Sequence, residues 1–314
     1  MHIEIRGKVN RKKYYLSHSF RRDGKVRKIR FYLGLNLSKN DLKIKREHAE
    51  KILRERMKKR EIIRDPFYVA LSPLEVDEIK NLEARGEIKI FHLNEKDWTK
   101  FTKLFTYDTN AIEGSTVTFS EVDDILEKSK WPKERTRWEI SETYGVAEAV
   151  KHIRKTKEHS SLRLIGELHK IIFENSKTFA GNFREKGVEV GVVDAFGNIV
   201  HRGAPSAQVT NLLRELVKWY EKNKNKYPPL VSAVVVHNHF ETIHPFRDGN
   251  GRVGRLLLNN ILLKHNLPPV NIELKNRVEY YEALQEYQKS KNIRPMVELI
   301  LKEYKSLKKI LKRG

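Results

Sequence analysis

From about residue 74 almost to its end, the sequence keeps the apolar spacing of amphipathic helices and breaks it in one place only. Helices are expected at Pro73–Arg85, Glu95–Glu113, Phe119–Lys128, Lys133–Lys157 and Leu162–Glu174, and again at Ser206–Lys222, Pro229–Glu241, Asn250–His265, Lys275–Lys289 and Ile293–Lys312. Thr118 with Glu121 has the spacing of a capping box, and Gly114 sits where a helix would end. The break is Val188 to His201. There Val188, Val190, Val192, Ile199 and Val200 flank Asp194-Ala195-Phe196-Gly197-Asn198, which predicts a β-hairpin set among helices. A chain of this pattern is mainly α. Aliphatic runs such as Val234 to Val236 are too short to span a bilayer, and the N-terminus lacks the apolar core of a signal peptide, so a cytoplasmic location is expected. With no cysteine, disulfides, thiol nucleophiles and thiolate metal sites are excluded.

The first 64 residues differ from the rest. They hold 22 Lys or Arg against 7 Asp or Glu, a net charge of +15 out of +22 for the whole chain. Strands are expected at residues 1–6, 13–20 and 26–33, with Asp23-Gly24 as a hairpin turn, followed by a helix from about Asp41 to Arg64 that Ser38 and Asp41 would cap. This reads as a small basic β-sheet plus helix module over 1–65, with a linker near Pro66 and Pro73. Such charge suits nucleic acid, an anionic surface or an acidic protein.

The segment His244-Pro245-Phe246-Arg247-Asp248-Gly249-Asn250-Gly251-Arg252-Val253-Gly254-Arg255 carries the chemistry. Pro245 and the glycines end one helix and Asn250 begins the next, so backbone N–H groups are presented at a helix N-terminus, a ready anion site. Asp248 is a hard oxygen donor suited to Mg²⁺. Arg252 and Arg255, three apart, are expected on one helix face as a phosphate clamp. His244 stands before this cradle as the general base. The dodecamer matches the Fic signature, His-x-Phe-x-(Asp/Glu)-Gly-Asn-Gly-Arg-x-x-Arg, at every defined position. The chain thus resembles Fic (Fido) proteins, more loosely over about residues 95 to 300, through Asn110-Ala111-Ile112-Glu113-Gly114-Ser115, Leu168-His169, Gly181-Asn182-Phe183-Arg184 and Tyr280-Tyr281.

That resemblance implies a Fic-type helical core over 119–292 with a β-hairpin flap, preceded by linker and helices over 66–118 and followed by a C-terminal amphipathic helix over 293–314. It implies a protein adenylyltransferase that moves AMP from ATP to a Ser, Thr or Tyr hydroxyl. His244 would take the hydroxyl proton, Asp248 would hold Mg²⁺, and Gly249, Asn250 and Gly251 would receive the α-phosphate. Arg252 and Arg255 would grip the outer phosphates, with Gly254 in the same nucleotide-binding segment, and Phe246 would anchor the loop. Gly191 and Val192 would lie near the nucleotide and Tyr280 near adenine. The flap would pair with an extended stretch of the protein substrate. Thr109-Asn110-Ala111-Ile112-Glu113-Gly114 fits the inhibitory pattern of relatives whose brake helix precedes the core. Glu113 would then pair with Arg255 and hold the enzyme inactive; in some relatives this glutamate also supports removal of AMP. The family also admits homodimers.

Two other readings compete. His237, His239 and His244 with Glu241 and Asp248 contain a His-x-His metal signal, although residues two apart point about 200° away from each other on a helix. Alternatively, the chain is a nucleic-acid-binding regulator that uses a Fic core as a switch, gripping its ligand through residues 1–64, where Tyr14, Tyr15, Phe31 and Tyr32 lie among basic residues.

Overall fold

A computed structural model describes residues 1–7, 11–22, 25–62, 93–193 and 199–312. The chain divides into two compact units, Met1–Ile62 and Ile63–Gly314.

In the first unit, β1 (His2–Arg6), β2 (Lys13–Arg22) and β3 (Lys25–Leu35) form an antiparallel sheet in that order. Arg22 pairs with Lys25 across the expected turn; Asp23 and Gly24 themselves lie outside the described residues. The ladder slips by one residue between Tyr14 and Tyr15. Tyr14 packs against the core of Leu16, Leu33, Ala49 and Leu53. The sheet packs on α1 (Lys39–Ile62), which starts where Ser38 and Asp41 exchange hydrogen bonds. The expected linker around Pro66 and Pro73 and the helix Pro73–Arg85 lie outside the described residues.

The second unit is built around α7 (Pro229–Ile243) and α8 (Asn250–Lys264). Every residue from Leu230 to Ile243 and from Asn250 to Leu263 is buried. A helix buried all round needs no polar face, which is why these two segments carry the longest aliphatic runs of the sequence. Around them pack α2 (Glu95–Ile112), α4 (Arg137–Lys155) and α5 (Leu162–Phe173) against α8, and α6 (Val209–Asn223), α9 (Arg277–Ser290) and α10 (Arg294–Lys312) against α7. The short α3 (Phe119–Lys128) packs between α2 and α4. Its Thr118–Glu121 capping box forms as the spacing predicts. Helix α4 starts at Arg137 rather than Lys133, because Thr136 and Glu139 form a capping box of their own after Pro132. The expected starts at Ser206 and Lys275 are short 3₁₀ turns, Ser206–Gln208 and Leu274–Asn276, before α6 and α9 begin. The apolar face of α10 docks on the core, with Ile300, Tyr304 and Leu307 buried.

The hairpin is shorter than its apolar alternation suggests. Strands β4 (Gly191–Val193) and β5 (Ile199–Arg202) pair, whereas Val188 and Val190 lie outside the strand. The Val188 carbonyl accepts from the Arg184 guanidinium instead, and the Val190 carbonyl accepts from the Gly203 N–H just beyond the last ladder pair. Residues 194–198 lie outside the described residues.

Burial of titratable groups gives the unit a defined pH range. Desolvation lowers His237 and His239 to about 3 and His169 and His265 to about 4, from 6.5. Each contributes stability that is present above pH 6.5 and lost as the pH falls toward its folded value. Desolvation raises Glu241 to about 8 and Glu303 to about 7, from 4.5; their contribution is present below pH 4.5 and lost as the pH rises through those values. Four groups acting one way below 6.5 and two the other way above 4.5 place the maximum of thermal stability at about pH 6–7. Calorimetry across pH 4 to 9 at fixed ionic strength checks this; a midpoint still rising at pH 9 would contradict it.

Candidate active site

Helix α7 ends at Ile243 because His244 turns into the left-handed region, φ 53° and ψ 63°. The next six residues are braced from three sides. Arg184, 4% exposed, donates through Nε to the His244 carbonyl at 2.8 Å, through Nη1 to Val188 at 2.9 Å and through Nη2 to Ala204 and Ile243. One guanidinium thus ties the foot of the hairpin to the loop. Phe246 is fully buried and its ring stacks on His169 at 3.8 Å, 12° from parallel. His169 accepts at Nδ1 from the Gly181 N–H, so it is Nε2–H that donates to the Asp248 carbonyl at 3.1 Å. The Asn250 amide closes the loop on itself, accepting from the Phe246 N–H at 2.8 Å and donating to its carbonyl at 3.0 Å. Gly249 takes φ +80°, and a Cβ there would lie 2.3 Å from the Phe173 ring. No side chain caps the N-terminus of α8, so its partial positive charge faces the cleft.

His244, Asp248, Gly249, Asn250, Gly251 and Arg255 meet in one cleft, with Gly191, Glu113 and Tyr280 in its walls. Val192 sits next to Gly191 in β4, paired with His201. His244 Nδ1 faces the Glu241 carbonyl at 3.3 Å. A carbonyl only accepts, so Nδ1 carries the hydrogen and the lone pair is on Nε2, the tautomer a general base requires. Burial lowers the His244 pKa from 6.5, which keeps the ring neutral.

Arg255 is 2% exposed. Its Nη2 contacts Glu113 Oε1 at 2.8 Å, while Nε donates to Thr109 Oγ1 at 2.7 Å and Nη2 to the Thr109 carbonyl at 3.0 Å. Glu113 reaches it because Gly251 has no side chain: a Cβ there would stand 2.1 Å from Glu113 Oε1. The first and fifth residues of the expected inhibitory pattern therefore hold the same guanidinium.

The geometry gives three of the expected nucleotide-binding residues distinct surroundings. Arg252 and Arg255 have different partners: Arg252 bonds Glu142 on α4 and lies over the Phe173 ring at 4.5 Å, whereas Arg255 turns toward α2. Long side chains three residues apart diverge once carboxylates on different helices compete for them. Gly254 faces α7 rather than the cleft, where a Cβ would lie 2.1 Å from Glu241 Oε1 and 3.1 Å from Phe240. Tyr280 lies beside the arginine, its hydroxyl 3.4 Å from Arg255 Nη1 and 3.0 Å from His237 Nε2. For the metal reading, His237 Nε2 bonds Tyr280 and His239 Nε2 bonds Tyr287, and among the described residues no group of three His, Cys, Asp or Glu side chains is placed to hold a metal. Arg184, His169 and Glu142 carry structural duties that no spacing rule marks. Their partners are distant in sequence.

A family model described as Fic/DOC family matches residues 159–262, which include α5, the hairpin, α7 and most of α8. The chain carries a Fic domain. Among curated proteins it is similar to the protein adenylyltransferase fic-1 of Caenorhabditis elegans, 31% identical over 190 residues, covering 58% of this chain and 35% of that protein. It is likewise similar to the protein adenylyltransferase Fic of Nematostella vectensis, 30% identical over 200 residues, covering 62% of this chain and 45% of that one. The chain thus spans well under two thirds of the length of the curated relatives it matches. Among solved structures, a Fic family protein from Desulfovibrio desulfuricans superposes with a TM-score of 0.63 at 23% identity, covering 78% of this chain and 76% of that one. The Fic-1 fragment from C. elegans gives 0.60 at 23% identity, covering 88% and 78%. At these identities the likeness is one of fold. The matched residues contain the loop, His244 and Arg255, while Glu113 comes from outside them, at the end of α2.

Proposed function

We propose that this chain is a protein adenylyltransferase held in check by Glu113. The observation that carries the reading is that His244 stands at the mouth of a braced, uncapped helix N-terminus whose innermost cation, Arg255, is occupied by Glu113. The curated relatives named protein adenylyltransferases support it.

In this reading ATP lies along the loop with its α-phosphate at Gly249 to Gly251 and its γ-phosphate toward Arg255. His244 Nε2 accepts the proton of a Ser, Thr or Tyr hydroxyl on the substrate protein. The hydroxyl oxygen forms a bond to the α-phosphorus, the bond from that phosphorus to the β-bridging oxygen breaks, and pyrophosphate leaves. Positioning and charge stabilisation do most of the work in such transfers. Asp248 fits Mg²⁺: it offers one half-exposed carboxylate beside the phosphate cradle, and Mg²⁺ takes one or two carboxylates plus phosphate oxygens. The ion would neutralise charge on the phosphates. Lys177, 3.1 Å from Asp248 Oδ2, occupies that carboxylate in the ground state. An extended substrate segment would add to the β4–β5 hairpin by backbone pairing.

The test is labelling with Mg²⁺ and ATP carrying the isotope on either the α- or the γ-phosphate. Retention of α-label only supports AMP transfer. Retention of γ-label would replace it with kinase-like chemistry.

A second reading concerns partners of Met1–Ile62. On the sheet surface Glu4 gathers Arg6 at 2.7 Å, Lys28 at 2.8 Å and Arg30 at 3.0 Å, and these cations hold its pKa far below the usual range. Tyr15 and Tyr32 lie beside them, ring centroids 5.3 Å apart, with Tyr32 half exposed. Ordered cations around aromatic rings suit nucleic acid. Binding of a labelled oligonucleotide should weaken steeply with salt, and Arg30→Ala should reduce the slope by about one charge. Affinity that does not change with salt would remove this partner.

A further inference from the structure

Glu241 is the one acidic side chain of the cleft to which the transfer scheme gives no role. It sits on α7 one turn before His244, is 6% exposed, and lines the same cleft as Glu113, His244 and Arg255. Its Oε1 makes no hydrogen bond to any described residue. Its Oε2 is 3.9 Å from His244 Nδ1. The carboxyl is seated by an absence in α8: the bare Cα of Gly254 leaves the space that Oε1 occupies, and His237 Nδ1 is 3.2 Å from the same point. The two glycines of the signature helix are therefore matched notches. Gly251 admits Glu113 and Gly254 admits Glu241, with Arg255 on the next turn.

We propose that Glu241 is a positioning residue of the nucleotide site, whose neutral form lets the triphosphate lie between His244 and Arg255 and whose carboxylate form excludes it. This rests on the nucleotide-transfer reading above. An unbonded carboxyl so deeply buried has a poor environment for charge. Burial raises its pKa to about 8; Arg255 on α8 pulls it down and Glu113 at the end of α2 pushes it up. The remaining groups that face it are uncharged at neutral pH: His237 on its own helix and His244 just past its end, both lowered by burial, and Tyr280 on α9, raised by burial. Glu241 is thus a neutral acid at pH 7. A polyanion brought alongside raises its pKa further, and by reciprocity ionising it weakens the polyanion's binding. The carboxylate would also compete with phosphate for Arg255. The sign follows: nucleotide affinity is full below about pH 8 and falls as the pH rises through that value.

The experiment is calorimetric binding of a non-hydrolysable ATP analogue with Mg²⁺ to the full chain, wild type and Glu241→Gln, from pH 7.5 to 9.5. The amide keeps the shape of the acid and cannot ionise. Wild-type affinity is expected to fall about tenfold over that range while Glu241→Gln stays level. A purely packing role would leave the two profiles parallel, and parallel profiles overturn the proposal. So does wild-type affinity independent of pH, a result that needs no variant to fold. Absence of analogue binding by either protein at every pH is a different failure, that of the nucleotide reading itself.

Discussion

Replacing Glu113 by glycine raises AMP transfer by about 100-fold, the penalty typical of a reacting group displaced by about 1 Å. Glu113 Oε1 occupies Arg255 Nη2 at 2.8 Å, the donor that the γ-phosphate would need for in-line attack on the α-phosphorus. Removing the carboxylate does not release the arginine. Thr109 holds Arg255 through its hydroxyl and its carbonyl, and Tyr280 lies against Nη1, so the guanidinium remains aimed at the cleft. The backbone tolerates the change as well, because Glu113 is the C-cap of α2 at φ −86°, outside the helix proper. Initial rates of α-label incorporation, wild type against Glu113→Gly at saturating ATP, make the comparison. Equal rates would show that the pair is a structural bond and no brake.

Replacing His244 by alanine in the Glu113→Gly background lowers the transfer rate by about 10³-fold, within the range for loss of a positioned general base. Binding of an ATP analogue should be retained, because the loop is braced by Arg184, His169 and Asn250 and not by the imidazole. The pH profile carries the same information. Burial lowers the His244 pKa from 6.5, so in the unbraked enzyme the base stays active on the acid side of 6.5 and fails only as the pH falls further. His244→Ala should abolish that acid limb along with the rate. A variant that transfers AMP as fast as its parent would assign the base elsewhere.

His244, Asp248 and Glu113 differ in how visible they are in the sequence. His244 and Asp248 were legible as candidates because the features that mark them are local: a helix that must end at Pro245, a glycine that must turn at 249, and a helix that must begin at Asn250. The same holds for the caps at Ser38 and Thr118, where both partners lie within one turn. Glu113 was marked by a short pattern, but its meaning depends on a contact across 142 residues. Arg252 shows the limit from the other side. Its spacing from Arg255 predicts a shared face, and on an isolated helix the two would be neighbours. Glu142, 110 residues away in the chain, draws it elsewhere.

The sequence alone determined the helical class, the hairpin, the basic first unit and the identity of the loop, since periodicity, turn residues and caps act through a few bonds of the chain. Which helix meets which was decided only in the folded molecule. Side-chain pairing between distant segments depends on how ridges, notches and charges fit once the core has closed, and two missing Cβ atoms, at Gly251 and Gly254, set where Glu113 and Glu241 come to rest. Those two resting places are what tertiary structure added to a cleft whose loop could be read in twelve letters.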